Sequence, residues 1–218
     1  AHRGASGYEV ENSLAAFRAA VRLGADGVEL DVHDTADGHL VVLHDPRVGG
    51  RPIAKLTLAD VRAHRLANGE PIPTLPEALS VLGAGLVVFV EVKTLSPAHD
   101  DALLQVMDAG PSPSYYHAHS CDHRIVRRLK DRRKTLVTGV LSSSYPVRPF
   151  EQVRWAGASE LWQHEPMIDA RLVAEARDVG VKVYAWTVDD RDRMAELADF
   201  RVDGICTNRL DLAREVIR

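Results

Sequence analysis

Gly27-Val28-Glu29-Leu30-Asp31-Val32-His33, GVELDVH, decides the fold. Val28, Leu30 and Val32 alternate with Glu29, Asp31 and His33, and a period of two is that of a β-strand with one apolar face. The acids and the imidazole fill the opposite face, an expensive composition for a strand that seeks a core. A second run, Leu86-Val87-Val88-Phe89-Val90-Glu91-Val92-Lys93, is almost continuously apolar, as a strand covered on both faces of a parallel sheet should be. It ends on the same i, i+2 pair of charges.

Outward from these two strands, short apolar runs alternate with amphipathic segments. Strands are expected at 115–119, 135–141, 159–163, 181–187 and 202–206, and a truncated first strand ends at His2-Arg3. A helix should run from Asn12 or Ser13 to a stop at Gly24, with Leu14, Phe17 and Val21 on one stripe. Asp37-Gly38 reads as a tight turn leading into HLVVLH, an excursion and not a sheet strand of the main series. Thr57 and Thr74 each stand three residues before an acid, so a capped helix begins at each. The last helix is expected from about Asn208 to Arg218.

Eight strands alternating with about eight helices point to an α/β fold, a (β/α)₈ TIM barrel with a short insertion after strand two at about 44–74. An open doubly wound sheet is the alternative. The chain, 218 residues long, is read as one domain over 1–218, without linker or low-complexity segment.

Composition narrows the function. The hydrophobic share of 45% and charged share of 27% are ordinary for a globular chain, and a formal net charge of -4 gives no footing for nucleic acid. RRLKDRRK at 127–134 reads as a solvated helix end. Cys121 and Cys206 are too few for a disulfide framework, and both are expected as core or near-core thiols. No apolar run approaches the roughly 18 residues of a membrane-spanning helix, so stable membrane insertion is not expected. A cytoplasmic location is expected; a secreted or periplasmic one stays open, because the chain does not start at Met. Oligomeric state is not legible.

In a barrel, chemistry sits where strands end. Glu29 and Asp31 leave the same face of one strand, and Glu91 repeats the pattern on another, giving an oxygen-rich cluster of the kind Mg²⁺ or Ca²⁺ prefers. A salt-bridged pair without metal is the plain alternative. His2 and His44 fall at the expected rim and have the right ordinary pKa to exchange protons near neutrality. Arg3 and Lys93 bring fixed positive charge, suited to phosphate oxygens. A metal, flanking cations and two proton carriers together fit phosphodiester hydrolysis.

The chain resembles the glycerophosphodiester phosphodiesterase family in AHRG at 1–4, ENS at 11–13, GVELDVHDTADGHLVVLHDP at 27–46, IPTLPEAL at 72–79, VEVK at 90–93, KVYAWTVDD at 182–190 and VDGICTN at 202–208. These pieces span the chain in family order. The resemblance implies that Glu29, Asp31 and Glu91 hold a divalent cation and that His2 and His44 are the acid/base pair. It implies that Arg3 and Lys93 contact phosphate, that Glu11 and Asn12 support or line the site, and that Trp186 stands near the substrate. His33 is left at its periphery. The chain departs from the family in lacking a longer insertion with a DRTTNG-like element between His44 and Thr74, and in SCDH at 120–123, where an aromatic often follows the Ser. The implied reaction releases glycerol 3-phosphate and an alcohol. Activity on lysophospholipids, of phospholipase D type, is the nearest rival, and a non-catalytic barrel binding a phosphorylated ligand is another.

Overall fold

The computed structural model describes residues 1–217, which divide into two compact units. One holds Ala1 and Arg3–Tyr116; the other holds His2 and the chain from His117 onward.

In the first unit, α1 (Leu14–Arg22) starts where the sequence places it, because the Ser13 hydroxyl accepts the Ala16 N–H at 3.0 Å. Strand β1 (Gly27–Asp34) pairs antiparallel with β2 (Leu40–Val42), the excursion read from the sequence, through a turn that holds Gly38 at φ 81°. The insertion then folds as two short paired strands, β3 (Arg47–Val48) and β4 (Arg51–Pro52), and a one-turn 3₁₀ helix over Ile53–Lys55. Val41, Val48, Ile53, Leu56, Val61 and Ile72 bury a core of their own beneath it. α2 (Leu58–Arg62) and α3 (Leu75–Leu82) begin at Thr57 and Thr74 with reciprocal caps from Asp60 and Glu77. β5 (Val87–Val92) lies parallel beside β1, and α4 (Asp100–Ala109) follows it.

The β1–β5 register explains the pattern of the two decisive stretches. Val28, Leu30 and Val32 pair with Val88, Val90 and Val92, all fully buried, while Asp31 stands level with Glu91. Period two therefore sends the valines to one face and the acids of both strands to the other.

The second unit carries β6 (Tyr116–Ser120) from His117 on, then α5 (His123–Arg132), β7 (Val137–Ser142), α6 (Pro149–Ala156), β8 (Glu160–His164), α7 (Ala170–Asp178), β9 (Lys182–Trp186), α8 (Arg191–Phe200), β10 (Gly204–Ile205) and α9 (Leu210–Val216). Strands β6 to β10 pair in chain order, parallel wherever a register is defined, each crossing through the helix between. Val140, Leu161, Val183, Leu172, Met194 and Leu197 are among the buried side chains joining this sheet to its helices.

Four expectations need correction. The first strand does not form: residues 2–8 are turns, Arg3 takes a left-handed φ of 52°, and only isolated strand-like bonds remain, such as Glu29 N–H to Ala1 C=O at 2.8 Å. The strand expected at 202–206 shrinks to Gly204–Ile205: the Asp203 N–H still donates to the Val183 C=O at 2.8 Å, but the Val183 N–H is taken by the Asp203 side chain at 2.9 Å. Cys121 is exposed and only Cys206 is buried, since the chain turns away from the sheet at Ser120. The last helix spans Leu210–Val216, and Arg218 lies outside the described residues. Among those residues, no helix is long and apolar enough to cross a membrane.

Candidate active site

In the first unit the acids of β1 and β5 meet the segment before α1. Arg3 and Asn12 both hold left-handed backbone, φ 52° and 55°, a costly conformation of the kind that collects at working sites. It lets the Arg3 main chain serve two partners: its N–H donates to Glu29 Oε2 at 3.0 Å, and its C=O accepts the Asn12 N–H at 2.9 Å. The fully buried Asn12 amide donates to Asp31 Oδ2 at 2.8 Å, while its oxygen receives the Asp31 N–H at 3.3 Å.

Cations close on the same acids. The Arg3 guanidinium stands 3.2 Å from Asp31 Oδ2 and holds both oxygens of the exposed Glu11 at 2.8 and 3.0 Å. Lys93 Nζ faces Glu91 Oε1 at 2.6 Å and Asp31 Oδ1 at 3.1 Å. Burial raises the Glu29 carboxyl well above the usual range, and neighbouring Asp31 and Glu91 push it further. Burial also raises Glu91, with Lys93 only partly offsetting it. Asp31 is pushed up by burial too, but Lys93 and Arg3 outweigh that and leave it lowered. The Lys93 ammonium is held above its usual range: burial opposes its charge, and Asp31 and Glu91 overcome that.

Glu29 Oε1 is buried and has no hydrogen-bond partner among the described residues, while Asp31 Oδ1 and Glu91 Oε1, also buried, face only the Lys93 ammonium. The Glu29 and Glu91 ligand oxygens lie within 4.8 Å of one another. Buried carboxylate oxygens are the donor type that a hard divalent cation prefers.

His44 reaches this region through the β1–β2 hairpin: the Leu43 N–H donates to the Asp31 C=O at 3.1 Å, so His44 is the next residue. Its ring Nδ1 meets Asp45 Oδ1 at 3.1 Å and is partly exposed. His33 has more to do than its sequence position suggests. Its buried ring bonds Thr94 Oγ1 at 3.0 Å and the His44 carbonyl at 3.2 Å, pinning the main chain that carries His44. Burial lowers the His33 pKa, although the bond to His44 opposes the shift.

The remaining two site candidates belong to the second unit. The His2 N–H donates to the Thr207 C=O at 3.0 Å, and its ring Nδ1 lies 2.8 Å from Asn208 Oδ1. Trp186 donates from Nε1 to the Trp162 C=O at 3.1 Å, and its ring lies 5.0 Å from that of His164. Asp189 and Asn208 stand inside two of the motifs, and their pairing, 19 residues apart, is invisible to strand periodicity.

The model of the glycerophosphoryl diester phosphodiesterase family matches residues 2–212. The chain belongs to that family. A glycerophosphodiester phosphodiesterase of Caldanaerobacter subterraneus is 32% identical, over 100% of this chain and 96% of the relative. A probable glycerophosphodiester phosphodiesterase 2 of Mycobacterium tuberculosis is also 32% identical, over 100% of this chain and 89% of its own. Among solved structures, an Oleispira antarctica phosphodiesterase in complex with the product sn-glycerol-3-phosphate matches at a TM-score of 0.91 and 25% identity, covering 100% of this chain and 95% of that one. A glycerophosphodiester phosphodiesterase from Parabacteroides distasonis matches at 0.89 and 25%, over 100% and 94%. The fold class is accordingly α/β, that of the family's TIM barrel. As a member of the family this chain is a phosphoric diester hydrolase.

Proposed function

We propose that this chain hydrolyses glycerophosphodiesters to glycerol 3-phosphate and an alcohol, with Mg²⁺ or Ca²⁺ held by Glu29, Asp31 and Glu91. The observation that carries the reading is the cluster of three buried carboxylates beside Arg3 and Lys93, with Glu29 Oε1 buried and without a hydrogen-bond partner among the described residues. The bound ion supplies positive charge where the non-bridging phosphate oxygens gain negative charge. Arg3 and Lys93 hold those oxygens from the sides, and both keep their charge across the working pH range because the acids raise their pKa. Asn12 fixes the Asp31 carboxylate, Glu11 orients Arg3, and Trp186 stands near the substrate. His2 and His44 exchange the two protons of the reaction: one takes the proton of the attacking oxygen as its bond to phosphorus forms, the other gives a proton to the leaving alkoxide. The sequence 1–218 is taken as one catalytic domain, working in the cytoplasm.

Incubation with glycerophosphocholine and Mg²⁺ or Ca²⁺ tests this, with glycerol 3-phosphate as the readout. Release that a chelator stops is expected. Absence of product from glycerophosphocholine, glycerophosphoethanolamine and glycerophosphoglycerol alike overturns the proposal.

A further inference from the structure

The motifs TVDD and CTN carry two polar residues to which the proposed reaction gives no role, Asp189 and Asn208. Asp189 follows β9, and Asn208 follows β10. The Asp189 Oδ1 accepts the Asn208 N–H at 2.8 Å and the Thr207 hydroxyl at 2.9 Å; its Oδ2 accepts the Asn208 side-chain Nδ2 at 2.6 Å. The Asn208 Oδ1 then faces His2 Nδ1 at 2.8 Å.

The order of donors along this chain admits one solution. An ionised carboxylate only accepts, so the Asn208 amide must turn its NH₂ to Asp189 and its oxygen to His2. An amide oxygen also only accepts, so the proton of a neutral His2 ring must sit on Nδ1. We infer that Asp189, acting through Asn208, fixes His2 as the Nδ1–H tautomer, so that its Nε2 carries the lone pair and His2 is the member of the histidine pair that begins as proton acceptor. Asp189 and Asn208 are positioning residues.

This rests on the reading of His2 as a proton carrier. In the step it implies, the proton of the attacking hydroxyl passes to Nε2 while the electron pair of that oxygen forms the bond to phosphorus. The bond from phosphorus to the leaving oxygen breaks, and that oxygen takes its proton from His44. His2 is then an imidazolium whose Nδ1–H still donates to Asn208, so the relay holds the ring in both states.

The same logic makes Asp189→Asn an inverting change. The Asn208 main-chain N–H and the Thr207 hydroxyl both need an acceptor, so the new amide must keep its oxygen toward them and turn its NH₂ toward the Asn208 side chain. Asn208 must answer with its oxygen, leaving its NH₂ facing His2 Nδ1, which drives the ring proton to Nε2. Combining Asp189→Asn with Asn208→Asp restores an acceptor opposite Nδ1.

Two-bond ¹H–¹⁵N spectra of ¹⁵N-histidine-labelled protein, at a pH where the His2 ring is neutral, read the tautomer directly, with His2→Gln identifying the signals. A pyrrole-type Nδ1 and pyridine-type Nε2 are expected in the unmutated protein, reversed in Asp189→Asn and recovered in the double variant. Turnover of glycerophosphocholine should fall ~100-fold or more in kcat with little change in KM for the single change, the usual worth of a proton carrier, and return toward the starting value in the double variant. An Nε2–H ring in the unmutated protein overturns the inference without any variant having to fold, and so does an unchanged tautomer in Asp189→Asn. Full turnover by His2→Gln instead overturns the role of His2, whatever the tautomer.

Discussion

Glu29→Gln separates the two demands made on the buried acids. Glu29 is 4% exposed; Oε2 takes the Arg3 N–H, which a glutamine oxygen can still accept, and Oε1 faces the cluster without a partner. The substitution removes a charge that burial, Asp31 and Glu91 all oppose, so the metal-free protein should lose nothing and can gain. Metal binding should suffer. Partners one step removed from an ion are worth about 10–100-fold in affinity, so loss of a ligand should exceed ~100-fold. An ion at 100 times its Kd stabilises the folded chain by about 2.7 kcal/mol, which is roughly 5–10 °C in Tm for a domain of this size. Differential scanning fluorimetry in EDTA and in saturating Mg²⁺ or Ca²⁺ reads both terms. The unmutated chain should gain roughly that interval with metal; Glu29→Gln should gain little at the same ion concentration and melt no lower in EDTA. A variant that melts several degrees lower in EDTA, yet keeps the full rise with metal, would refute the reasoning.

Further outcomes follow from the same geometry. Because burial raises the Glu29 and Glu91 carboxyls, the metal-free folded state holds protons that the unfolded chain has released, so its stability should fall as pH rises from the ordinary carboxylate range through the raised folded values; denaturation in EDTA against pH checks this, and Glu29→Gln should flatten the slope. His44→Ala should lower kcat by about 10²–10⁴-fold while leaving the metal-induced rise in Tm intact. Asn12→Ala strips Asp31 Oδ2 of its amide and places a side chain without the tolerance of Asn at positive φ, which should cost about 1–3 kcal/mol in urea denaturation. Gly4→Ala should fold poorly or not at all, as judged by soluble yield and circular dichroism, since its Cβ would sit 2.8 Å from the Ala16 main chain at φ +79°.

Strand alternation made β1 and β5 legible, and it made the carboxylates legible with them, because residues two apart on a strand share a face whatever the tertiary setting. The caps at Thr57 and Thr74 were equally local, and the structure closes both as expected. What did not show was set by contacts far apart in the chain. The fragment ending at His2-Arg3 reads as a strand end, yet its backbone bends left-handed at Arg3 to serve Glu29 and Asn12 at once. His33 looked peripheral because its period points it past the acids, whereas its hold on the His44 carbonyl depends on where the hairpin returns. The β3–β4 pair has only two residues per strand, too short for any period.

Metal dependence of turnover tests the central claim most directly. The protein should be stripped with chelator, dialysed, and titrated with Mg²⁺ or Ca²⁺ while ion binding and glycerol 3-phosphate release from glycerophosphocholine are followed in parallel. Turnover that is absent at the start and returns along the same saturation curve as binding is the expected result. Full turnover by the stripped protein, with no ion bound, would contradict the assignment of Glu29, Asp31 and Glu91.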